Sequence, residues 1–489
     1  MKTPIVIFDR AAWNGEILTI EGDCACPLSF SAPAENKSLP TADALLQQTP
    51  VSHSFQIGEF TAVASSHSRA SLVLLNDASR EIWRRFETPF SLQNFSAEPF
   101  DGASEFSAVT DLHRAGFLHD ALQEKTDLAV EDTLVAWLHV TNACNLRCTY
   151  CYLNKTTEKM DLETGRFALG AIFRSAKSNG LGKIKLKYAG GEPTMNMPLV
   201  LQLHDEALEK GEDLGVDVRG VILSNGALLN EKMIRQMQRR NLKLMISLDG
   251  VGEMHDRQRM TANGKPSFEK IAENIEMTVA EGLIPDICVT VSGQSAERLP
   301  ETVEWLLEKD LPFSLNFYRE NAASQTHAEL KLEETKIISG MKAAFKIIEN
   351  NLPNRSLLAS LADRGNLAAP HATPCAADNN YLVIDHFGGV SKCQMEMDRR
   401  VSDVRSDDPL TAVRADQDGV QNLSVDEKEG CRDCEWKYWC TGGCPKETYR
   451  ATGRYDVQSP NCNIYKAIYP EILRLEALRL LKNYELSLS

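Results

Sequence analysis

Thr141-Asn142-Ala143-Cys144-Asn145-Leu146-Arg147-Cys148-Thr149-Tyr150-Cys151-Tyr152 sets three cysteines in a C-x3-C-x2-C run directly after an apolar, strand-like stretch, Leu134 to Val140. Three thiolates held this close can ligate three corners of a cubane iron-sulfur cluster and leave its fourth iron without a protein ligand. An iron left open in this way is a site for reaction. The competing reading is a structural zinc ion, but zinc wants a fourth Cys or His nearby in tetrahedral geometry, and none lies within the loop.

From residue 132 to about 350, strand-like runs alternate with helical stretches: Leu134 to Val140, Ile184 to Tyr188, Val221 to Ser224, Leu244 to Leu248, Ile287 to Val291 and Phe313 to Phe317. Six such units predict parallel strands joined by helices. In a barrel of that kind the chemistry gathers at the carboxyl ends of the strands, and the cysteine run follows the first. Gly190-Gly191-Glu192-Pro193 follows the second, where paired glycines allow close backbone approach to a ligand and a carboxylate can accept from an ammonium. Ser224-Asn225-Gly226 and Ser247-Leu248-Asp249-Gly250 end the third and fourth, and His255, Asp256 and Arg259 follow, the arginine able to pair with a carboxylate. Taken singly, each of these reads as a solvated loop position. Their order at successive strand ends carries the argument.

This arrangement resembles the radical S-adenosylmethionine (radical SAM) enzymes. The resemblance implies an α/β fold, a partial (β/α)6 barrel over 132–350, with a cluster on Cys144, Cys148 and Cys151 whose open iron chelates SAM. It also implies that Gly190, Gly191 and Glu192 hold the methionyl amino group, that Ser224, Asn225, Ser247 and Asp249 occupy ribose- and methionyl-contacting positions with Arg259 alongside, and that Tyr150 lies against the adenine. A low-potential electron donor such as flavodoxin or ferredoxin is the expected redox partner.

The tail, 355–489, reads C-x12-G-x4-C (Cys375, Gly388, Cys393), then C-x2-C-x5-C-x3-C (Cys431, Cys434, Cys440, Cys444), then Cys462. This resembles the SPASM domain, which carries two auxiliary iron-sulfur clusters in peptide-modifying radical SAM enzymes; a pair of zinc ribbons is the alternative. With the barrel, the resemblance implies three [4Fe-4S] clusters. Its interleaved ligation assigns Cys431, Cys434, Cys440 and Cys462 to an outer cluster and leaves Cys375, Cys393 and Cys444 for an inner one. The inner set is one ligand short: where some relatives have an eighth cysteine, this chain has Ala369, so an open iron or a ligand such as His371 or Asp378 is expected. Of the remaining thiols, Cys288 reads as buried, and Cys24 and Cys26 as surface thiols or a ligand or redox pair.

Residues 1–125 are expected to form a further small domain. Phe55, Ile57, Phe60, Val63 and Leu72 to Leu75 suggest paired short strands, and Asn76-Asp77 offers a helix cap before Ala78, Ile82 and Phe86. A second helical pattern, Phe106, Val109, Leu112, Phe117 and Leu118, is expected to end about Gly116. This winged-helix-like α+β module (about 50–120) resembles the leader-peptide recognition element of ribosomal-peptide maturation enzymes, which binds a leader as an added strand on a sheet edge. An unrelated α+β domain is the alternative. The polar, acidic stretch 121–131 fits a linker.

With 489 residues, 53 basic and 68 acidic, the net charge is −15, which argues against nucleic-acid backbone binding as the main activity. The first ten residues have too short an apolar run for a signal sequence, and no stretch reaches membrane-spanning length. A cytoplasmic protein is expected, with no membrane partner, and its 13 cysteines then read as ligands or redox groups.

The expected activity is a 5'-deoxyadenosyl-radical maturase that crosslinks a ribosomally made peptide or small protein, with a thioether as the leading product. The alternatives are a carbon-carbon or carbon-oxygen crosslinking maturase, an anaerobic sulfatase maturase and, from another class, a non-catalytic iron-sulfur peptide chaperone. Asp249, Asp256 and Arg319 are candidate acid-base residues with equally plausible structural roles.

Overall fold

The structure, a computed structural model, describes residues 3–9, 44–93, 102–122, 128 and 132–488. Cys24 and Cys26 lie outside these residues, as does most of the 121–131 stretch.

Among the described residues the chain opens with seven short strands: β1 (Val6–Ile7), β2 (Leu45–Gln48), β3 (His53–Ile57), β4 (Phe60–Ala64), β5 (Leu72–Leu75), β6 (Phe90–Ser91) and β7 (Leu118–Asp120). One antiparallel sheet has the order β1-β5-β4-β3, which leaves β3 at an edge, and a smaller one runs β6-β2-β7. Helix α1 (Asp77–Arg84) starts where the Asn76 side chain accepts from Ser79 N–H at 3.0 Å, the expected cap. Helix α2 (Gly102–Arg114) ends just before Gly116, as expected, although the apolar spacing runs on to Leu118. Gly116 turns the chain with φ 79°, and Leu118 opens β7 instead of closing a helical turn.

The larger sheet has two apolar faces because its strands alternate. Val63, Val73 and Leu75 pack with Ile82, Phe86, Val109 and Leu112 under the two helices. Phe60, Ala62, Ala64, Leu72 and Leu74 face the other way and join the main core of the protein. A small module of this size buries too little surface alone, and here its second face is covered by the C-terminal helix, Cys462–Leu488.

Six parallel strands follow in sequence order: β8 (Thr133–Thr141), β9 (Lys183–Gly190), β10 (Asp217–Ser224), β11 (Lys243–Ser247), β12 (Asp286–Val291) and β13 (Phe313–Phe317). Between and after them run α3 (Leu162–Ser178), α4 (Met197–Leu214), α5 (Glu231–Gln238), α6 (Glu253–Gln258), α7 (Phe268–Ala280), α8 (Leu299–Glu308) and α9 (Glu334–Asn350). Strand β8 is buried along its whole length, as a parallel strand covered on both faces must be. Leu134, Ala136, Leu138 and Val140 face the main core, while Val135 and Trp137 face the other side.

The sheet does not stop at the barrel. Strand β14 (Tyr381–Ile384) pairs in parallel with β8, Leu382 opposite Ala136, and β15 (Gly389–Ser391) and β16 (Ser402–Asp403) extend it antiparallel to nine strands. Gly388, the glycine of the C-x12-G-x4-C pattern, makes the β14–β15 turn with φ 88°. Helices α10 (Pro409–Ala415), α11 (Lys437–Cys440), α12 (Pro445–Thr452) and α13 (Cys462–Leu488) complete the tail. Among the described residues no helix is long and apolar enough to cross a membrane.

Candidate functional site

The cysteine loop leaves β8 through a shift in strand register between His139 and Thr141. Cys144, Cys148 and Cys151 are free and half-buried, and their charges act on one another. Burial pushes the Cys148 thiol up to about 11, opposed by the nearby Arg259 guanidinium. A thiolate in such a place needs a cation or a metal beside it.

The two glycines at the end of β9, Gly190 and Gly191, are required by backbone, and the neighbour is the cysteine loop itself. A Cβ on Gly190 would collide with the Thr141 carbonyl oxygen, and one on Gly191 with that of Ala143. The close approach lets Gly191 N–H donate to Thr141 O at 2.7 Å and Glu192 N–H to Ala143 O at 2.8 Å. The Glu192 carboxylate, 1% exposed, then accepts from Thr194 N–H (3.1 Å), Thr194 Oγ1 (2.6 Å), Ser224 Oγ (2.9 Å) and Asn225 N–H (2.7 Å). Four protein donors match the capacity of a carboxylate, so this side chain joins the ends of β9 and β10. Asn225 reaches onward, donating through Nδ2 to Asn145 Oδ1 at 2.8 Å and lying 3.9 Å from the Cys144 sulfur.

After β11, the Asp249 carboxylate accepts from Tyr150 Oη at 2.5 Å and Thr290 N–H at 3.1 Å, and pairs with Arg259 Nη1 at 3.5 Å. Arg259 Nη1 also donates to the Tyr150 hydroxyl. This group, half-buried Tyr150 with buried Asp249 and Arg259, sits beside Cys148. Ser247 ends β11 half-buried, opposite Cys288 of β12. Asp256 has structural work: its Oδ1 accepts from Ser267 N–H (2.6 Å) and Phe268 N–H (2.8 Å) at the start of α7. The His255 ring, held near 3 by burial, accepts from Asp249 N–H at 3.3 Å. Thr149 Oγ1, Gln258 Nε2 and Arg259 Nε are buried here with no partner in the protein. Orphaned buried donors cost about 1–3 kcal/mol each, and a carboxylate- and hydroxyl-bearing ligand such as SAM would recover that cost.

In the tail, Cys431, Cys434, Cys440 and Cys462 line one small pocket with Trp436 and Tyr469. Burial raises the Cys440 thiol to about 12 and the Cys431 thiol to about 11. Cys375 and Cys393 instead pack against Val135, Trp137, Ala189 and Tyr381, the face of the sheet opposite the main core. Cys444 immediately precedes α12. Of the side chains considered as a fourth inner ligand, His371 lies 3.2 Å from Ala369 O and 3.4 Å from Thr441 Oγ1. Asp378 is paired with the buried Lys392 at 2.8 Å. Among the described residues no three His, Cys, Asp or Glu side chains close on a single ion; cubane ligands differ in that each binds its own iron.

Several buried charges carry no sequence signal. Asp363, with φ 54°, accepts from Phe317 N–H (2.7 Å), Arg319 Nη2 (2.7 Å) and Tyr465 Oη (2.8 Å), fastening β13 to α13. Glu447, its carboxyl raised by burial, lies 3.7 Å from Arg319 Nε, so Arg319 serves as a buried tie between barrel and tail.

Residues 138–306 match the sequence model of the radical SAM superfamily. Over 221 residues, 45% of this chain and 74% of the relative, the chain is 28% identical to an uncharacterised protein of Methanocaldococcus jannaschii. A cysteine-type anaerobic sulfatase-maturating enzyme of Clostridium perfringens is 20% identical over 324 residues, 62% of this chain and 86% of that enzyme. The solved structure of anSMEcpe with bound AdoMet and Cp18Cys peptide superposes with a TM-score of 0.58 at 19% identity, covering 72% of this chain and 98% of that one. The fold and these matches define a radical SAM domain. The chain carries a radical SAM domain over 138–306, and enzymes of that superfamily work with a [4Fe-4S] cluster and SAM.

Proposed function

We propose that this enzyme is a maturase that installs a crosslink, foremost a thioether, in a ribosomally made peptide or small protein. The supporting observation is the placement of the inner tail cysteines. Cys375 and Cys393 pack on the same residues, Val135, Trp137 and Ala189, that β8 and β9 of the barrel contribute. When loaded, the site on Cys144, Cys148 and Cys151 supplies a 5'-deoxyadenosyl radical from SAM and one electron. Glu192, Ser224 and Asn225 hold the strand ends that frame SAM, and Tyr150, Asp249 and Arg259 hold the opposite rim. Cys375, Cys393 and Cys444 would hold an auxiliary cluster, and because His371 and Asp378 are engaged elsewhere, neither of those two would block a substrate thiolate there. Cys431, Cys434, Cys440 and Cys462 would hold a second. Each thioether then removes two hydrogens from the substrate, one as 5'-deoxyadenosine hydrogen and one as a proton, and returns one electron to the protein.

The edge strand β3, half-exposed in alternation, suits addition of a leader strand. The second reading, a sulfatase maturase, is favoured by the relatives named so. It is weakened by the size of this chain, since a match covering 98% of anSMEcpe leaves 28% of this one outside it. The test is co-expression with short cysteine-bearing precursors encoded beside the gene, read by product mass and fragmentation. A product short of two hydrogens per crosslink, lost when the precursor cysteine becomes serine, supports the thioether. A crosslink that survives the serine change supports the carbon-carbon or carbon-oxygen alternative, and formylglycine supports the sulfatase reading.

A further inference from the structure

Lys428 belongs to the charged run Asp426-Glu427-Lys428-Glu429, yet its side chain is buried, with 1% exposure. Its ammonium donates one hydrogen bond, to Thr441 O at 2.8 Å. Among the described residues no carboxylate pairs with it; the charges that act on it are the sulfurs of Cys431, Cys375, Cys440 and Cys444, two from the outer cysteine set and two from the inner. Gly442, with φ 82°, makes room for this arrangement. A Cβ there would come within 2.9 Å of Lys428 Cδ and 3.5 Å of Cys431 Sγ.

An unpaired ammonium is costly in a protein interior. Anionic clusters on these two cysteine sets would supply the missing countercharge. Each such cluster gains one more negative charge when it accepts an electron, so a fixed cation nearby favours the reduced form. The geometry points to Lys428 as a buried countercharge shared by the two auxiliary cluster sites, raising the reduction potential of both so that they accept an electron more readily. The inference rests on the auxiliary-cluster reading above. Lys428 is a positioning residue here, acting on the clusters through space.

The experiment uses the full chain, reconstituted anaerobically with Cys144, Cys148 and Cys151 changed to Ala so that only the tail contributes. Dithionite titrations followed by EPR compare the parent with Lys428→Met, Lys428→Gln, which keeps a donor for Thr441 O, and Lys428→Arg. With iron content unchanged, the neutral variants are expected to lower the reduced-to-oxidised ratio about tenfold at a fixed potential, a midpoint more negative by about 59 mV, and Lys428→Arg to restore it. Neutral variants that carry full iron and titrate with the parent overturn the inference. So does failure of both neutral variants to hold iron, which would make Lys428 an assembly residue. A parent without tail iron would instead overturn the auxiliary-cluster reading itself, and this inference with it.

Discussion

The backbone N–H of Asn225 donates to Glu192 Oε2 at 2.7 Å, and through this bond the third strand end of the barrel is locked to the second. Because the same Asn225 also touches the Cys144 sulfur and Asn145, the Glu192 carboxylate is tied through Asn225 to the cysteine loop.

Replacing Glu192 by Ala leaves four donors without their acceptor. The metal-free chain should lose several kcal/mol of stability, at about 1–3 kcal/mol per orphaned buried group, and SAM affinity should fall even where the protein folds. Urea unfolding and calorimetric SAM titration check the two effects. Unchanged SAM affinity would separate this network from the cofactor site.

The Tyr150–Asp249–Arg259 group predicts an order of severity. Tyr150→Phe removes a hydroxyl but leaves the ion pair, for about 1 kcal/mol. Asp249→Asn strands a buried arginine, and breaking such a pair costs about 3–5 kcal/mol. Equal losses in urea unfolding of the two variants would contradict the pairing seen between Asp249 and Arg259.

One tie between barrel and tail gives a pH dependence. Glu349 of α9 accepts from Arg474 of α13, both guanidinium contacts at 3.0 Å, and from Lys346 at 2.9 Å, which hold its carboxyl down to about 2. A depressed carboxyl stabilises the fold above its ordinary value, near 4.3, and loses that contribution as pH falls toward 2. The stability gap between the metal-free parent and Glu349→Gln should be about 1 kcal/mol or less at neutral pH, since both partners are partly exposed, and should close between about pH 4.5 and 2. Thermal melts across that range measure it, and a gap constant to pH 2 would refute the assignment.

Much of this architecture is legible in the chain because apolar runs such as Leu134 to Val140 alternate with helical stretches and so read as buried parallel strands, and their order fixes where the cysteine loop and Gly190-Gly191-Glu192 fall. Local chemistry is less legible. The glycines announce a close approach, but only the structure identifies its partner as the Thr141 and Ala143 backbone and not a ligand alone. Asp256, beside His255 in a motif-like stretch, turns out to accept backbone donors at the start of α7. Lys428 reads as one charge in a solvated run, and nothing local reveals that folding buries it within the influence of two cysteine sets. The extension of the barrel sheet by β14 to β16 is equally hidden, because a spacing of cysteines carries no strand period.

The central claim is that Cys144, Cys148 and Cys151 carry the reactive cluster and the seven tail cysteines carry two more. Iron and sulfide analysis of the anaerobically reconstituted chain, with 5'-deoxyadenosine measured after reduction with SAM, tests it most directly. About twelve iron per chain are expected from three cubanes, and changing Cys144, Cys148 and Cys151 together to Ala should remove about a third of the iron and all of the 5'-deoxyadenosine. A triple variant that still cleaves SAM, or a parent holding only one cluster's worth of iron, would contradict the account.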